Sequence, residues 1–374
     1  MSELRTDTSA HAAPVVDDPR RPEIVYRWDL DKTYVQTDFS SVRGLLRAAT
    51  EKAENKRVVP GMRALLTALS RRHRARIIVV SGSPTQMRAR IEAMFRLHGV
   101  RCDKLVLKDF VGRVRKLRSV RAQVPYKLAA HLDTRLWLRE RDADVDEICF
   151  GDDAEVDALI YCLYTDIVAR RVDATRLRSL LSHVGAYDDE VRHILGSLAQ
   201  LPRQDPVRRV FIHLDTRSPP SRYAAYQGRV TATFNALQIA LSLQEDGLAG
   251  AVEVSAVAEA LVSGFRVDAH GLAGSIEDAA RRGICSVATA EYVAAEILPS
   301  TDVARAGFSA SFADRVVRRL RQAPPPIAPT LPLAPLAYED LFDAEHLFAR
   351  TRKLARKAAE RVPGLGDFLE SEGR

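Results

Sequence analysis

A chain of 374 residues, 46% hydrophobic and 28% charged, is long enough for two domains and too polar for a protein embedded in a membrane. Its net charge of +7 is concentrated, with fifteen Lys and Arg against three acids between Arg71 and Arg121. Such a field attracts phosphorylated substrates, lipid headgroups or nucleic acid, unless it only decorates solvated helices. Four scattered cysteines (Cys102, Cys149, Cys162, Cys285) form no CxxC, which argues against a disulfide framework or a zinc site. No apolar run reaches the length of a membrane span, and residues 1–21 read as a polar leader without a signal core. A cytoplasmic protein is expected.

The first apolar run, Ile24 to Trp28, predicts a buried strand that ends at Asp29-Leu30-Asp31-Lys32-Thr33. Helical spacing follows over Ser41–Ala53, and again after Pro60, where Met62, Leu65, Leu66 and Leu69 form one stripe. Ile77-Ile78-Val79-Val80 predicts a second strand. Ser81-Gly82-Ser83-Pro84 then reads as a turn, with Pro84 opening a helix that Gly99 ends. Leu105–Leu107 predicts a third strand, 127–138 a helix, and Glu147–Phe150 a fourth strand running into Gly151-Asp152-Asp153. Another helix carries Val156, Leu159, Ile160 and Leu163. Apolar strands alternating with amphipathic helices indicate a parallel sheet covered on both faces.

After residue 170 the expectation is a mainly helical half: helix over 173–200, one strand at Val207–Leu214, a helix at 227–243, and short helices to about Gln322. A proline-rich linker at 323–337 precedes a terminal helix near 339–362 with six basic residues (Arg350, Arg352, Lys353, Arg356, Lys357, Arg361). That helix packs on the body or touches an acidic membrane surface. The expected domains are a 1–21 leader, a 22–170 α/β core, a helical 171–322 domain that covers the site or adds its strand to the sheet, the linker, and a 338–374 tail.

Right-handed crossovers place three polar strand ends, Asp29, Ser81 and Asp152, on one sheet edge. Two carboxylates one residue apart at a strand end suit phosphoryl transfer, one attacking phosphorus and the other handling the leaving-group proton. Taken alone, so short a pattern is more simply read as an acidic strand-to-loop corner. The scattered histidines lack metal-ligand spacing, and neither GxGxxG nor a Walker motif calls for a nucleotide. The basic stretch carries only Phe95 and Phe110 as aromatics, which disfavours nucleic acid.

In order, Asp29-x-Asp31-x-Thr33, Ser81 after a strand, Lys127, and Gly151-Asp152-Asp153 after a strand resemble the four motifs of haloacid dehalogenase-type phosphatases. Val59-Pro60-Gly61-Met62, Ser81-Gly82-Ser83-Pro84, Tyr126-Lys127-Leu128 and Gly151 to Tyr161 resemble the catalytic domain of actin-patch-type phosphatidate phosphatases, over about residues 24–165. The resemblance implies a three-layer α/β/α, Rossmann-like core and a Mg2+-dependent phosphomonoesterase acting on phosphatidate or another phosphorylated small molecule. A catalytically inactive phosphate-binding scaffold is the alternative.

It further implies that Asp29 is the nucleophile, Asp31 the general acid and base, and Thr33 a residue orienting Asp31 or holding the loop. Ser81, Gly82 and Ser83 would receive the phosphoryl oxygens, aided by N–H groups at the following helix start, and Ser81 would cap that helix. Lys127 would neutralise charge, with Lys104 and Lys108 as alternatives. Mg2+ would be held by Asp29, Asp152 and the backbone carbonyl of Asp31, with Asp153 or Asp157 as a further ligand or outer shell. Lys32 stands where the family often has a smaller or acidic residue and could contact substrate. Little room for a cap lies between Asp29 and Ser81, which leaves substrate selection to the C-terminal half or to residues 99–125.

Overall fold

The computed structural model describes residues 24–34, 58–109, 120–139, 145–216, 218–322 and 336–359, without the side chains at 120–122, 139, 350 and 352–359. The expected leader, the helix at 41–53, the basic residues at 110–119, the linker to residue 335 and the basic side chains of the terminal helix lie outside these residues.

The chain first forms β1 (Ile24–Asp29), then α1 (Met62–Arg71), β2 (Ala75–Pro84), α2 (Arg88–His98) and β3 (Lys104–Lys108). Next come α3 (Val120–Arg139), β4 (Asp146–Asp152), α4 (Asp157–Val168), α5 (Ala174–His183) and α6 (Asp188–Gln200). β5 (Val207–His213) and β6 (Thr231–Thr233) complete a six-stranded sheet in the order β3-β2-β1-β4-β5-β6. Every pairing is parallel. The α/β reading is therefore correct. The order reverses direction between β1 and β4, and an open parallel sheet leaves a crevice at such a switch point, outside the carboxyl ends of its strands. Asp29 and Asp152 end the two strands that flank it.

β1 is buried from Val25 onward, as a central strand must be. Its one basic residue, Arg27, is fully buried and satisfied. Its guanidinium donates to Glu147 at 2.6 and 2.9 Å and to the Thr134 hydroxyl at 2.6 Å. Arg135 also donates to Glu147, at 2.8 Å. Paired on all sides, these charges tie β1 to β4 and α3 beneath the crevice.

Three expectations are corrected. β2 does not stop at Val80: it runs to Pro84 through an irregularity in its pairing with β3, and a short 3-10 turn (Thr85–Met87) precedes α2. Ser81 is thus in a strand and caps no helix. The span 173–200 is two helices, parted at Gly185, whose φ of 72° ends the first. Thr231-Ala232-Thr233, expected within a helix, pairs in parallel with β5, so the later half contributes two strands and not one. By packing, one unit takes in the described residues from 24 to Ala236 together with the terminal helix.

A second unit, residues 237–322 among those described, is helical: α7 (Ala236–Glu245), α8 (Ala251–Phe265), α9 (Ala269–Arg281), α10 (Val287–Tyr292) and α11 (Ala310–Gln322). Asp268 and Ser286 cap α9 and α10 by accepting from Gly271 and Thr289 N–H. Its own core includes Val254, Leu261, Leu272, Ile276, Phe308 and Val316. The terminal helix α12 (Tyr338–Ala359) belongs to the α/β unit. Tyr338 donates to Asp166 at 2.7 Å, and Glu345 accepts from the Tyr226 hydroxyl at 3.1 Å and from Arg222.

Candidate active site

After Asp29 the chain folds back in a single turn, closed by the Tyr34 N–H donating to the Leu30 carbonyl at 3.0 Å. Lys32 takes the left-handed conformation, φ 63°, which a non-glycine residue adopts at a cost. Tyr34 anchors the far end of the turn, its hydroxyl 2.7 Å from His98 Nδ1 on α2. Held this way, Asp29 and Asp31 are both buried, at 1% and 8% exposure.

The irregularity in β2 matches Ser81 with Leu107 and Pro84 with Lys108, leaving Gly82 and Ser83 as extra residues on one strand. Ser81 and Ser83 both donate through their hydroxyls to Asp31 Oδ2, each at 3.1 Å. Ser83 N–H donates to Ser81 Oγ at 2.9 Å, and the Tyr126 hydroxyl fixes the Ser81 carbonyl, also at 2.9 Å. Gly82 has open space where a side chain would project.

α3 carries Lys127 in under β1. Its ammonium donates to Asp29 Oδ1 at 2.7 Å, to Glu155 Oε2 at 2.8 Å and to Asp157 Oδ1. Of the alternatives, Lys108 sits over the Tyr126 ring at 4.9 Å and Lys104 over the Trp137 ring at 5.4 Å.

Asp152, at the end of β4, accepts through Oδ1 from the N–H groups of Ala154 and Glu155, at 2.6 and 3.0 Å. Its Oδ2 accepts from the Thr33 hydroxyl at 3.3 Å, so Thr33 meets Asp152 and not Asp31. Asp153 is turned away from the site. Its carboxylate accepts from Thr216 N–H and hydroxyl at 2.8 and 2.7 Å and from Ser218 N–H at 3.0 Å, on the loop after β5. Asp157 instead comes close to the strand end: a Cβ at Gly151 would lie 2.5 Å from Asp157 Cβ, and the bare glycine lets the start of α4 close over it. Asp29, Asp152 and Asp157, all buried, offer oxygens within 4.8 Å of one another.

Residues 28–179 match the family model of the phosphatidate phosphatase APP1 catalytic domain. The match covers less than half of the chain but contains every site residue named above except the supports at Thr216 and Ser218. β5, β6 and the helical unit fall outside it. No curated protein and no solved structure matches the chain.

Within this phosphatidate phosphatase-like segment, burial pushes the carboxyl groups of Asp29, Asp152 and Asp157 above their usual range, and the neighbouring acids add to the effect. Asp31 is pushed up to about 7, by burial first and then by the Glu155 charge, against the two serine hydroxyls. Burial alone would lower Lys127; Asp157, Asp29 and Glu155 outweigh it and hold the ammonium firmly protonated. Lys32 is half-buried, and its charge acts on Asp152 in the stabilising sense.

Three carboxylates thus bond one lysine, with Asp31 and Asp152 beside them, and Asp29 Oδ2 is buried with no partner. An unpaired oxygen within an all-carboxylate set fits a hard divalent cation, which would balance the excess negative charge. Two contributors, Glu155 and Tyr126, stand within motifs read from the sequence but are given no role there. Glu155 stands in the loop after Asp152. Tyr126 stands beside Lys127, but only the fold shows its hydroxyl reaching β2.

Proposed function

We propose that the α/β unit is a metal-dependent phosphomonoesterase of the haloacid dehalogenase type, acting through an aspartyl-phosphate on phosphatidate or another lipid-like phosphate. The observation carrying this reading is the meeting of Asp29, Asp31, Ser81, Lys127 and Asp152 at the switch point of the sheet, inside the segment that matches a phosphatidate phosphatase catalytic domain. Asp29, Asp152 and Asp157 would hold Mg2+, which when bound neutralises phosphoryl charge.

Asp29 attacks phosphorus and its oxygen gains the P–O bond as the ester P–O bond breaks. Asp31, held by the two serine hydroxyls, gives its proton to the departing alcohol oxygen. A water molecule then attacks the aspartyl-phosphate, Asp31 takes its proton, and Asp29 and inorganic phosphate are released. Lys127 keeps Asp29 oriented and offsets charge on the phosphoryl oxygens. Burial suits Asp31 to this double task, since a carboxyl group with a raised pKa holds a proton near neutrality.

Within the same proposal, the basic terminal helix and the basic stretch before residue 121 bring the site to an acidic lipid surface from a cytoplasmic location. No helix among the described residues is long and apolar enough to cross a membrane. The test is phosphate release from a panel of phosphatidate, sugar phosphates and nucleotides, with Mg2+ and with chelator. The wild type releases phosphate only with the metal, and Asp29→Asn releases none. Turnover by Asp29→Asn would remove the nucleophile. Metal and phospholipid binding without turnover by the wild type would favour the inactive scaffold.

A further inference from the structure

Lys127 has three N–H donors, and all three are engaged, by Asp29, Asp157 and Glu155. None is left for a phosphoryl oxygen. Asp29 and Asp157 are buried at the base of the site, with side chains 2% and 1% exposed. Glu155 differs: its side chain is 23% exposed and stands on the turn between β4 and α4, at the solvent side of the lysine. Of the three partners, it is the one that can swing outward without stranding a buried charge.

We infer that Glu155 occupies the place of a phosphoryl oxygen on Lys127 and yields it when the substrate enters. The inference rests on the phosphatase reading for its substrate, though not for its binding test. A carboxylate carries one negative charge, and a phosphate monoester carries nearly two near pH 7. The monoester therefore wins Lys127 from Glu155, and the glutamate turns out to solvent.

The test uses the full-length Mg2+-loaded protein and its Glu155→Gln variant, with inorganic phosphate as the calorimetric probe at pH 8. A melting curve confirms that the variant is folded, and Glu155→Ala serves if it is not. The variant is expected to bind phosphate about tenfold more tightly, as removal of one charge-assisted competitor allows. In turnover the same change appears as a lower KM. Phosphate binding that is equal or weaker in the variant overturns the inference. A wild type that binds phosphate but hydrolyses nothing overturns the phosphatase reading instead, while the comparison of the two proteins still decides the role of Glu155.

Discussion

Gly151→Ala places one methyl group at the tightest point of the site. Its Cβ would lie 2.5 Å from Asp157 Cβ, 2.7 Å from Asp157 Oδ2 and 2.9 Å from Cγ. Non-bonded carbons rest at about 3.5–4.0 Å, so the start of α4 must retreat by roughly 1 Å. Asp157 cannot absorb this by a local adjustment, because it is buried and shared between Lys127 and the Asp152 N–H. Overpacking of this kind costs about 1–3 kcal/mol, which lowers the melting temperature by about 2–12 °C. A displacement near 1 Å in a catalytic array costs about a hundredfold in rate. The assay is Mg2+-dependent phosphate release alongside thermal unfolding. The expected variant is folded, less stable, about a hundredfold slower, and in need of more Mg2+ for half-maximal rate. Unchanged kcat and Mg2+ dependence in a folded Gly151→Ala protein would refute the placement of Asp157 at the metal.

Asp153 and Asp152 are neighbours with opposite tasks. Asp153→Asn disturbs the anchorage of Thr216 and Ser218, and is expected to cost about 1–3 kcal/mol of stability while leaving the Mg2+ requirement as it was; Asp152→Asn abolishes metal-dependent turnover. Equal loss of turnover in both, with both folded, would place Asp153 at the metal site. His98, buried against Tyr34, has its pKa lowered to about 4, by burial first and then by Arg63. The unfolded chain protonates this imidazole below about pH 6.5, and the folded protein does so only near pH 4. The contribution of the neutral His98 is therefore present in full above pH 6.5 and lost as the pH falls toward 4. Urea unfolding across that range should show a slope that His98→Gln reduces; an identical slope in the variant would contradict the link.

Much of this was legible because buried parallel strands are written as short apolar runs, and β1, β3 and β4 stand out between amphipathic helices. Their polar ends then fall on one edge by topology alone. What escaped was local. Ser81-Gly82-Ser83-Pro84 has the composition of a turn, yet the edge strand β3 accepts two extra residues and lets β2 continue. β6 is three residues long, too short for any period, and is embedded in apolar spacing that also suits a helix. That Asp152 gathers with Asp29 and Asp157 while Asp153 bonds the loop after β5 follows from the strand end, where consecutive side chains point to opposite sides. The docking of α12 depends on Tyr338 meeting Asp166, 172 positions apart, which no local pattern announces.

The account turns on Asp29 as the atom donor to phosphorus. Acid quenching of the Mg2+-loaded protein during turnover of a reactive phosphomonoester, followed by peptide mass spectrometry, tests this directly. A phosphoryl group on the peptide containing Asp29, absent from Asp29→Asn and discharged by hydroxylamine, is the predicted result. Steady hydrolysis with no phosphorylated Asp29 at any quench time, or with the label on another residue, would contradict it.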